Sequence, residues 1–364
     1  MKICIAGKNN IAIEICKLAM QYFDKDDIYV ITNSTDNGID GFQRSFLKYA
    51  YNEQLNIVNL EFVYSFSNMI FLSLEFDKLI NPSRFKSTNL YNIHFSLLPS
   101  YKGMYTSYWP IINNETSTGV TLHKIDHGID TGEIISQIEI PIASNMNAKQ
   151  LYQEYIRAGI ILIRDNFDNI INGNIVSKIQ SAKGSTYHSK ASVNYKNIII
   201  DMKQTAHTIK NQIRALNFRD FQLPKVENIP ISHCVIDKIK STKKAGTLIR
   251  ENKWCFYYAT IDYNIYLYKD KLLEICNCCY EGNVELLKYF IMCEYNMNEQ
   301  DREGNTPLIM ACKKGQIEIV KLLIANGVEI SLEDYMGNKP LDHAFNFGKS
   351  TNSYECYDLI QNNI

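Results

Sequence analysis

The 364-residue chain reads as an α/β protein: a Rossmann-like, mostly parallel sheet, then a small β-rich, barrel-like unit, then an α-helical repeat. Three observations predict this. Short apolar runs alternate with helical patterns up to about residue 140, as in a parallel sheet covered by helices on both faces. Between Ser189 and Asp270 the pattern changes to short β-rich runs on a basic background. Beyond Asp270 the sequence repeats itself every 33 residues.

Lys2 to Gly7 and Ile28 to Thr32 read as strands flanking a helix over Ile11 to Phe23, and Asn68 to Leu74 reads as a further strand. The turn Gly7-Lys8-Asn9-Asn10 lacks the Gly-x-Gly-x-x-Gly fingerprint, so the Rossmann-like pattern carries no expectation of a dinucleotide. Ala148 to Ile171 places Leu151, Tyr155, Ile156, Ile160, Ile163 and Phe167 three and four residues apart, an amphipathic helix whose stripe is core. In the basic segment, Gly246 to Ile249 and Trp254 to Ala259 read as strands. Gly282 to Lys288 recurs as Gly315 to Lys321, and Asp301 to Leu308 recurs as Asp334 to Leu341. That is the ankyrin period, and Thr306-Pro307-Leu308-Ile309-Met310-Ala311 fits its turn-and-helix signature. The expected domains are 1–188, 189–268 and 269–364.

Hydrophobic content of 46% with 21% charged residues and a net charge of −1 is ordinary for a globular protein. No apolar run approaches a membrane span, and the strand-like start leaves no room for a signal peptide. The ten cysteines lack metal spacing, so they read as reduced thiols of a cytoplasmic protein, and no metal is expected. From Ser189 to Asp270, fourteen Lys and Arg stand against seven Asp and Glu. Such an excess suits a phosphate-bearing partner, although a solvated basic face fits it as well.

The chemistry concentrates in Asn92-Ile93-His94-Phe95-Ser96-Leu97-Leu98-Pro99 and in Gly128-Ile129-Asp130-Thr131-Gly132. On a strand, residues two apart share a face, so Asn92 and His94 project together. An amide, an imidazole and a carboxylate in one cleft supply what acyl transfer needs: an oxyanion donor, a proton carrier, and an anion to orient it. Each residue also has a plain reading. His94 alone fits a core position, and Asp-Thr-Gly is a good turn sequence.

With Ser100 to Pro110 and Gly119-Val120-Thr121-Leu122-His123 between them, these motifs resemble the 10-formyltetrahydrofolate-dependent formyltransferases over residues 86–140. The resemblance is nearest to the branch acting on nucleotide-linked amino sugars, which also shows in Arg214-Ala215-Leu216 and the Phe218-Arg219-Asp220-Phe221-Gln222 after it. It implies transfer of a formyl group from N10-formyltetrahydrofolate to a dTDP-linked amino-dideoxyhexose, the 3-amino sugar before the 4-amino one, for O-antigen or another surface polysaccharide. Asn92, His94 and Asp130 are then catalytic. Folate contacts are implied near Phe76, Leu79 and Ile80 and at Lys124, Ile125 and Asp126. Lys102, Tyr105, Arg214, Phe218, Arg219 and Phe221 are implied for the sugar nucleotide. A homodimer is implied as well.

Two other classes stay open. One is a methionyl-tRNA formyltransferase, against which the ankyrin tail speaks; the other is a protein-binding adaptor on a spent enzyme scaffold. A deformylase is a third possibility, without the regulatory domain of that family. The tail is expected to dock on its own chain. Tyr257, Tyr258, Tyr263, Tyr266 and Tyr268 could then stack on a second nucleotide ligand, although aromatic residues in strands usually pack.

Overall fold

A computed structural model describes residues 1–195 and 198–363. Nine strands belong to the first part: β1 (Lys2–Gly7), β2 (Ile28–Thr32), β3 (Asn56–Ile57), β4 (Met69–Leu74), β5 (Asn89–His94), β6 (Lys102–Gly103), β7 (Ser117–Lys124), β8 (Ile134–Pro141) and β9 (Tyr187–His188). Helices α1 (Asn9–Ala19), α2 (Phe46–Asn52), α3 (Leu60–Val63), α4 (Trp109–Ile112) and α5 (Ala148–Asn172) accompany them. The main sheet has the order β3-β2-β1-β4-β5-β7-β8, parallel as far as β5 and antiparallel beyond it. The continuous apolar runs of β1, β2 and β4 follow from burial on both faces. One face packs on α1 and α5 through Ile3, Ile5, Leu72, Ile93 and Phe95. The other carries Cys4, Ala6, Phe71 and Leu90.

The helix expected over Ile11 to Phe23 begins two residues earlier and stops at Ala19, after which Met20 to Phe23 bond back to Cys16, Leu18 and Ala19 in turns. Helix α5 matches its stripe and is closed by a reciprocal Asn147–Gln150 cap and by Gly173 in the left-handed region.

Helix α6 (Ala206–Leu216) leads into a five-stranded antiparallel sheet of β10 (Lys225–Val226), β11 (Ile229–Lys240), β12 (Leu248–Glu251), β13 (Cys255–Ala259) and β14 (Tyr263–Lys269). Its order, β10-β11-β14-β13-β12, makes a curled half-barrel. The tail consists of α7 (Leu272–Glu281), α8 (Val284–Met292), α9 (Pro307–Lys313), α10 (Ile317–Ala325), α11 (Pro340–Thr351) and α12 (Glu355–Gln361). The repeat seen in sequence is a repeat of turns: Asp301 Oδ1 accepts the N–H groups of Glu303 and Asn305, and Asp334 Oδ1 those of Met336 and Asn338. All ten cysteines are free and buried, five of them in the tail core.

Several contacts join the tail to the rest. His233 on β11 donates through Nε2 to the Cys293 carbonyl (2.7 Å) and stacks on Tyr268. Tyr295 donates to the Lys269 carbonyl (2.8 Å), and Trp254 lies against Phe290. Glu333 pairs with Arg44 (2.6 Å) and Glu329 with Arg157 (3.1 Å), both on the first part of the chain.

Candidate active site

Strand β5 delivers Leu90, Asn92 and His94 to one face, and antiparallel β7 sets His123 opposite Asn92. His123 Nδ1 donates to the Lys124 carbonyl (2.7 Å), which leaves Nε2 as an acceptor for Asn92 Nδ2 (3.0 Å). The same amide nitrogen approaches Asp130 Oδ1 at 3.4 Å. His94 lies between the Tyr101 carbonyl, 2.8 Å from Nε2, and Asp130 Oδ1, 3.4 Å from Nδ1. A carbonyl only accepts, so Nε2 carries a proton and Nδ1 is the basic atom.

Asp130 is held from three sides. Its Oδ2 accepts the Gly103 N–H (2.9 Å), and its carbonyl accepts from Gln180 Nε2 (2.8 Å), which also reaches the Gly132 carbonyl (2.7 Å). Its backbone sits in the left-handed region, φ 55°, which is uncommon for a residue with a side chain. Two glycines make this approach sterically feasible. A Cβ on Gly132 would lie 1.8 Å from the Lys124 carbonyl oxygen, and one on Gly103, at φ 88°, would lie 2.3 Å from that of His188. Thr121, two residues before His123 on β7, fixes the segment after β5: it donates to the Ser96 carbonyl (2.6 Å) and accepts the Leu98 N–H (3.1 Å).

Burial and charge act oppositely here. Burial pushes the His94 imidazole below its ordinary value of 6.5, with Asp130 and the Tyr101 carbonyl opposing. Burial pushes the Asp130 carboxyl up, but His94, His123 and the Gly103 N–H outweigh it and bring it to about 2. At neutral pH the cleft therefore holds a neutral imidazole beside a firmly ionised carboxylate. That pair can take one proton and retain it as an ion pair.

On the same face as Asn92, Leu90 packs in a cluster to which Phe76, Ile80 and Ile125 contribute, an apolar wall next to the polar group. Asp126 Oδ1 accepts from Gly128 N–H (3.1 Å) and Thr131 Oγ1 (2.7 Å), which shapes the loop leading to Asp130.

Residues 5–164 match the formyl transferase family model, and residues 275–363 match three copies of ankyrin repeats. WlaRD, a sugar 3N-formyl transferase solved in the presence of dTDP and 5-N-formyl-THF, is 42% identical with a TM-score of 0.70, over 75% of this chain and 99% of that one. The chain belongs to the sugar N-formyltransferase family. The N-formyltransferase from Helicobacter canadensis, in complex with folinic acid and dTDP-3-aminofucose, is 40% identical over 74% of this chain and 100% of that one, with a TM-score of 0.70. Methionyl-tRNA formyltransferase of Clostridium beijerinckii is 35% identical over 44% of this chain and 52% of that relative. The chain thus spans about half the length of the curated relatives it matches.

In this sugar N-formyltransferase the remaining expected residues separate into two groups. Lys102, on β6 beside Gly103, has no ion pair among the described residues, and its charge reaches His94. Tyr105 is held by the Lys190 carbonyl (3.0 Å) and by the edge of Tyr195. Lys124 is paired to Glu133 (2.8 Å), and Leu79 is exposed. The two arginines are engaged within the fold. Arg214 is buried and donates to the Met146 and Ala143 carbonyls and to Asn211, all at 2.9 Å. Arg219 makes a two-pronged pair with Asp270 (2.8 and 2.7 Å) and a further bond to Glu299 (3.1 Å). Each guanidinium thus makes three hydrogen bonds within the fold. Phe218 is core, packed among Phe42, Tyr152 and Phe221; of these four, Phe221 alone is largely exposed.

Arg214 lines a cleft of about 410 Å³ between α6, β11 and the tail, with Lys210, His233, Tyr295 and Asn298. Of the five tyrosines, Tyr258 is core, Tyr257 stacks on Tyr266 at 4.4 Å, and Tyr268 stacks on His233. None of the five lines that cleft. Sequence reasoning held His123 in a motif without giving it a role, and it missed Gln180. The alternation Thr121-x-His123 puts both on one face and was the available signal; Gln180 had none.

Proposed function

We propose that the protein transfers a formyl group from N10-formyltetrahydrofolate to the amine of a dTDP-linked amino-dideoxyhexose, the 3-amino sugar before the 4-amino one. The observation that carries this is the Asn92–His94–His123–Asp130 cluster, whose two histidines are buried, in a chain that matches sugar formyltransferases over their whole length. The amine attacks as its free base. Asn92 donates to the oxyanion that develops on the formyl oxygen, while His123, accepting from its amide, fixes its orientation. The proton lost by the amine passes to His94 Nδ1, where Asp130 stabilises the resulting imidazolium. The folate lies along Phe76, Ile80 and Ile125, and Lys102 and Tyr105 border the sugar. The product serves surface polysaccharide assembly, and the enzyme works in the cytoplasm as a homodimer.

The test is incubation with formyltetrahydrofolate and a panel of dTDP- and UDP-linked amino sugars, read by mass spectrometry for the gain of one formyl group. No gain with any dTDP-linked amino sugar ends this reading.

We also propose that the domain boundaries fall at 188 and 268 and that the tail is a docked, structural part of the enzyme. Trp254, His233 and Tyr268 lose their cover when the tail is removed. Truncation after Asp270 is therefore expected to yield insoluble protein. A soluble, fully active shortened enzyme contradicts the docked role.

A further inference from the structure

The His94–Asp130 pair is set by two loops, and the residue that each contributes is strained. Tyr101 supplies the carbonyl that faces His94 Nε2 (2.8 Å), and Asp130 supplies the carboxylate that faces Nδ1 (3.4 Å). Both have left-handed backbones, φ 58° and 55°, a conformation that residues with side chains keep only where the surroundings hold them. The loops come from different places in the chain, one from the segment after β5 and one from the turn between β7 and β8. The bond from Gly103 N–H to Asp130 Oδ2 (2.9 Å) ties one to the other.

A third segment grips both loops. After α5 the chain returns past the site as a strap, Ser177 to His188, held at its two ends. At the first end Lys178 and Ile134 exchange both backbone bonds (2.8 Å each), and Ser177 Oγ donates to Glu133 (2.6 Å). Gln180 Nε2 donates there to the carbonyls of Asp130 (2.8 Å) and Gly132 (2.7 Å). At the second end Thr186 N–H donates to the Pro99 carbonyl (3.3 Å), and Thr186 Oγ1 accepts the Tyr101 N–H (2.7 Å). The Thr186 and His188 carbonyls accept the N–H groups of Lys102 (2.9 Å) and Met104 (2.8 Å). Between the ends, Ser181 to Ser185 are exposed, and Gly184, at φ 80°, turns the chain. Gln180 leaves its own Oε1 buried without a partner among the described residues, so it is not placed there for stability alone. The Tyr101 ring is held elsewhere, by Glu115 (2.7 Å) and Asn113 (3.0 Å), so the Thr186 hydroxyl acts on its backbone. The strap thus reaches the left-handed residue of each loop at the main chain.

We infer that the strap positions the His94–Asp130 pair, with Gln180 and Thr186 as its positioning residues: Gln180 keeps the Asp130 carboxylate at Nδ1, and Thr186 keeps the Tyr101 carbonyl at Nε2. Both act through the loops and not on substrate. What the pair does rests on the formyl-transfer reading above; how it is held does not.

NMR titration of the His94 ring in the full chain, assigned with His94→Asn, tests this without requiring turnover. His94 faces Asp130 from the β7–β8 turn, His123 from β7, Lys102 from β6 and the Tyr101 carbonyl. The carboxylate and the carbonyl favour its protonated form, and His123 and Lys102 oppose it. Gln180→Met and Thr186→Val each remove a hydrogen-bonding group at similar volume. Each should therefore move the His94 midpoint to lower pH, whereas Thr186→Ser, which keeps the hydroxyl, should leave it in place. In turnover, Gln180→Met should lower kcat about tenfold or more by misplacing the pair, and Thr186→Val about threefold, with KM for both substrates little changed. The acid limb of kcat/KM should move with the His94 midpoint. If Gln180→Met fails to fold, Thr186→Val still decides, since Thr186 is exposed. A His94 midpoint that stays at its wild-type value in the folded variants overturns the inference, even where kcat falls. If the midpoint moves as expected but wild-type protein formylates no amino sugar, the proposed reaction fails and the strap stands.

Discussion

Two polar clusters, one at the strand ends and one at the tail junction, both set histidine and cations among acceptors and differ in what they leave free. At the junction, Arg219 is saturated by Asp270 and Glu299, Arg214 by two carbonyls and Asn211, and His233 by the Cys293 carbonyl. At the strand ends, each group is oriented from behind while one face stays open. His94 uses Nε2 on Tyr101 and keeps Nδ1 basic, and Lys8 and Lys102 carry no ion pair among the described residues. A saturated network stabilises a joint, whereas a half-used one has something left to give a ligand. Counting charged residues cannot separate the two cases; following each donor to its acceptor can.

The comparison breaks most readily at His94 and Asp130. His94→Asn or Asp130→Asn should lower kcat/KM by about a hundredfold to ten-thousandfold, the usual worth of acid–base catalysis, with circular dichroism and urea midpoint little changed. Near-wild-type turnover in either variant would move the chemistry elsewhere. At the junction the effects should reverse. Arg219→Met leaves Asp270 and Glu299 as partly buried carboxylates without their cation, and should cost about 3 kcal/mol in urea unfolding. Turnover per folded molecule should hold. A loss of turnover without a loss of stability would return Arg219 to the substrate.

These outcomes also explain how far the sequence could be read. The sheet, α5 and the repeat were legible because hydrophobic period and turn chemistry are local. The Asn92 and His94 pairing was legible because two residues on one strand share a face. His123 and Gln180 were not, since their roles depend on register across β5 and β7 and on a segment that returns fifty residues later. The internal partners of Arg214 and Arg219 were hidden for a related reason. Asp270 and Glu299 stand 51 and 80 residues away from Arg219, and the Glu299 bond exists only once the tail is in place.

Acid should distinguish the clusters more gradually. Burial holds His233 at about 4, below its ordinary 6.5, so the folded state resists protonation that the unfolded chain accepts. A histidine lowered in this way contributes stability that is complete above about pH 6.5 and is lost as pH falls toward 4. Between roughly pH 7 and pH 5 the loss should be about 2 kcal/mol, and His233→Gln should flatten it. His94 is lowered in the same direction, so kcat/KM should stay level near neutral pH and fall on the acid side as Nδ1 becomes protonated. Asp130 acts later: its contribution is present above about pH 4 and disappears as pH falls through about 2. An acid limb of stability that persists unchanged in His233→Gln would remove the junction from this account.

The smallest effect should come from the pair that links the two regions. Arg44 lies in the loop between β2 and α2, the loop that also carries Phe42 against Tyr152, and its guanidinium meets Glu333 of the tail at 2.6 Å. Both side chains are well exposed, at 50% and 34%, so solvent screens them and the pair should be worth less than about 1 kcal/mol. A double-mutant cycle on Arg44→Ala and Glu333→Ala, followed by urea unfolding at low and at high salt, measures this directly. The expected coupling is a few tenths of a kcal/mol that fades with salt, with KM for the amino-sugar nucleotide unchanged. Coupling well above about 1 kcal/mol, or a shift in that KM, would mean that the tail sets the position of the loop that packs on Tyr152. The junction would then be a lever on the cleft, and the separation between a saturated joint and an open site would no longer hold.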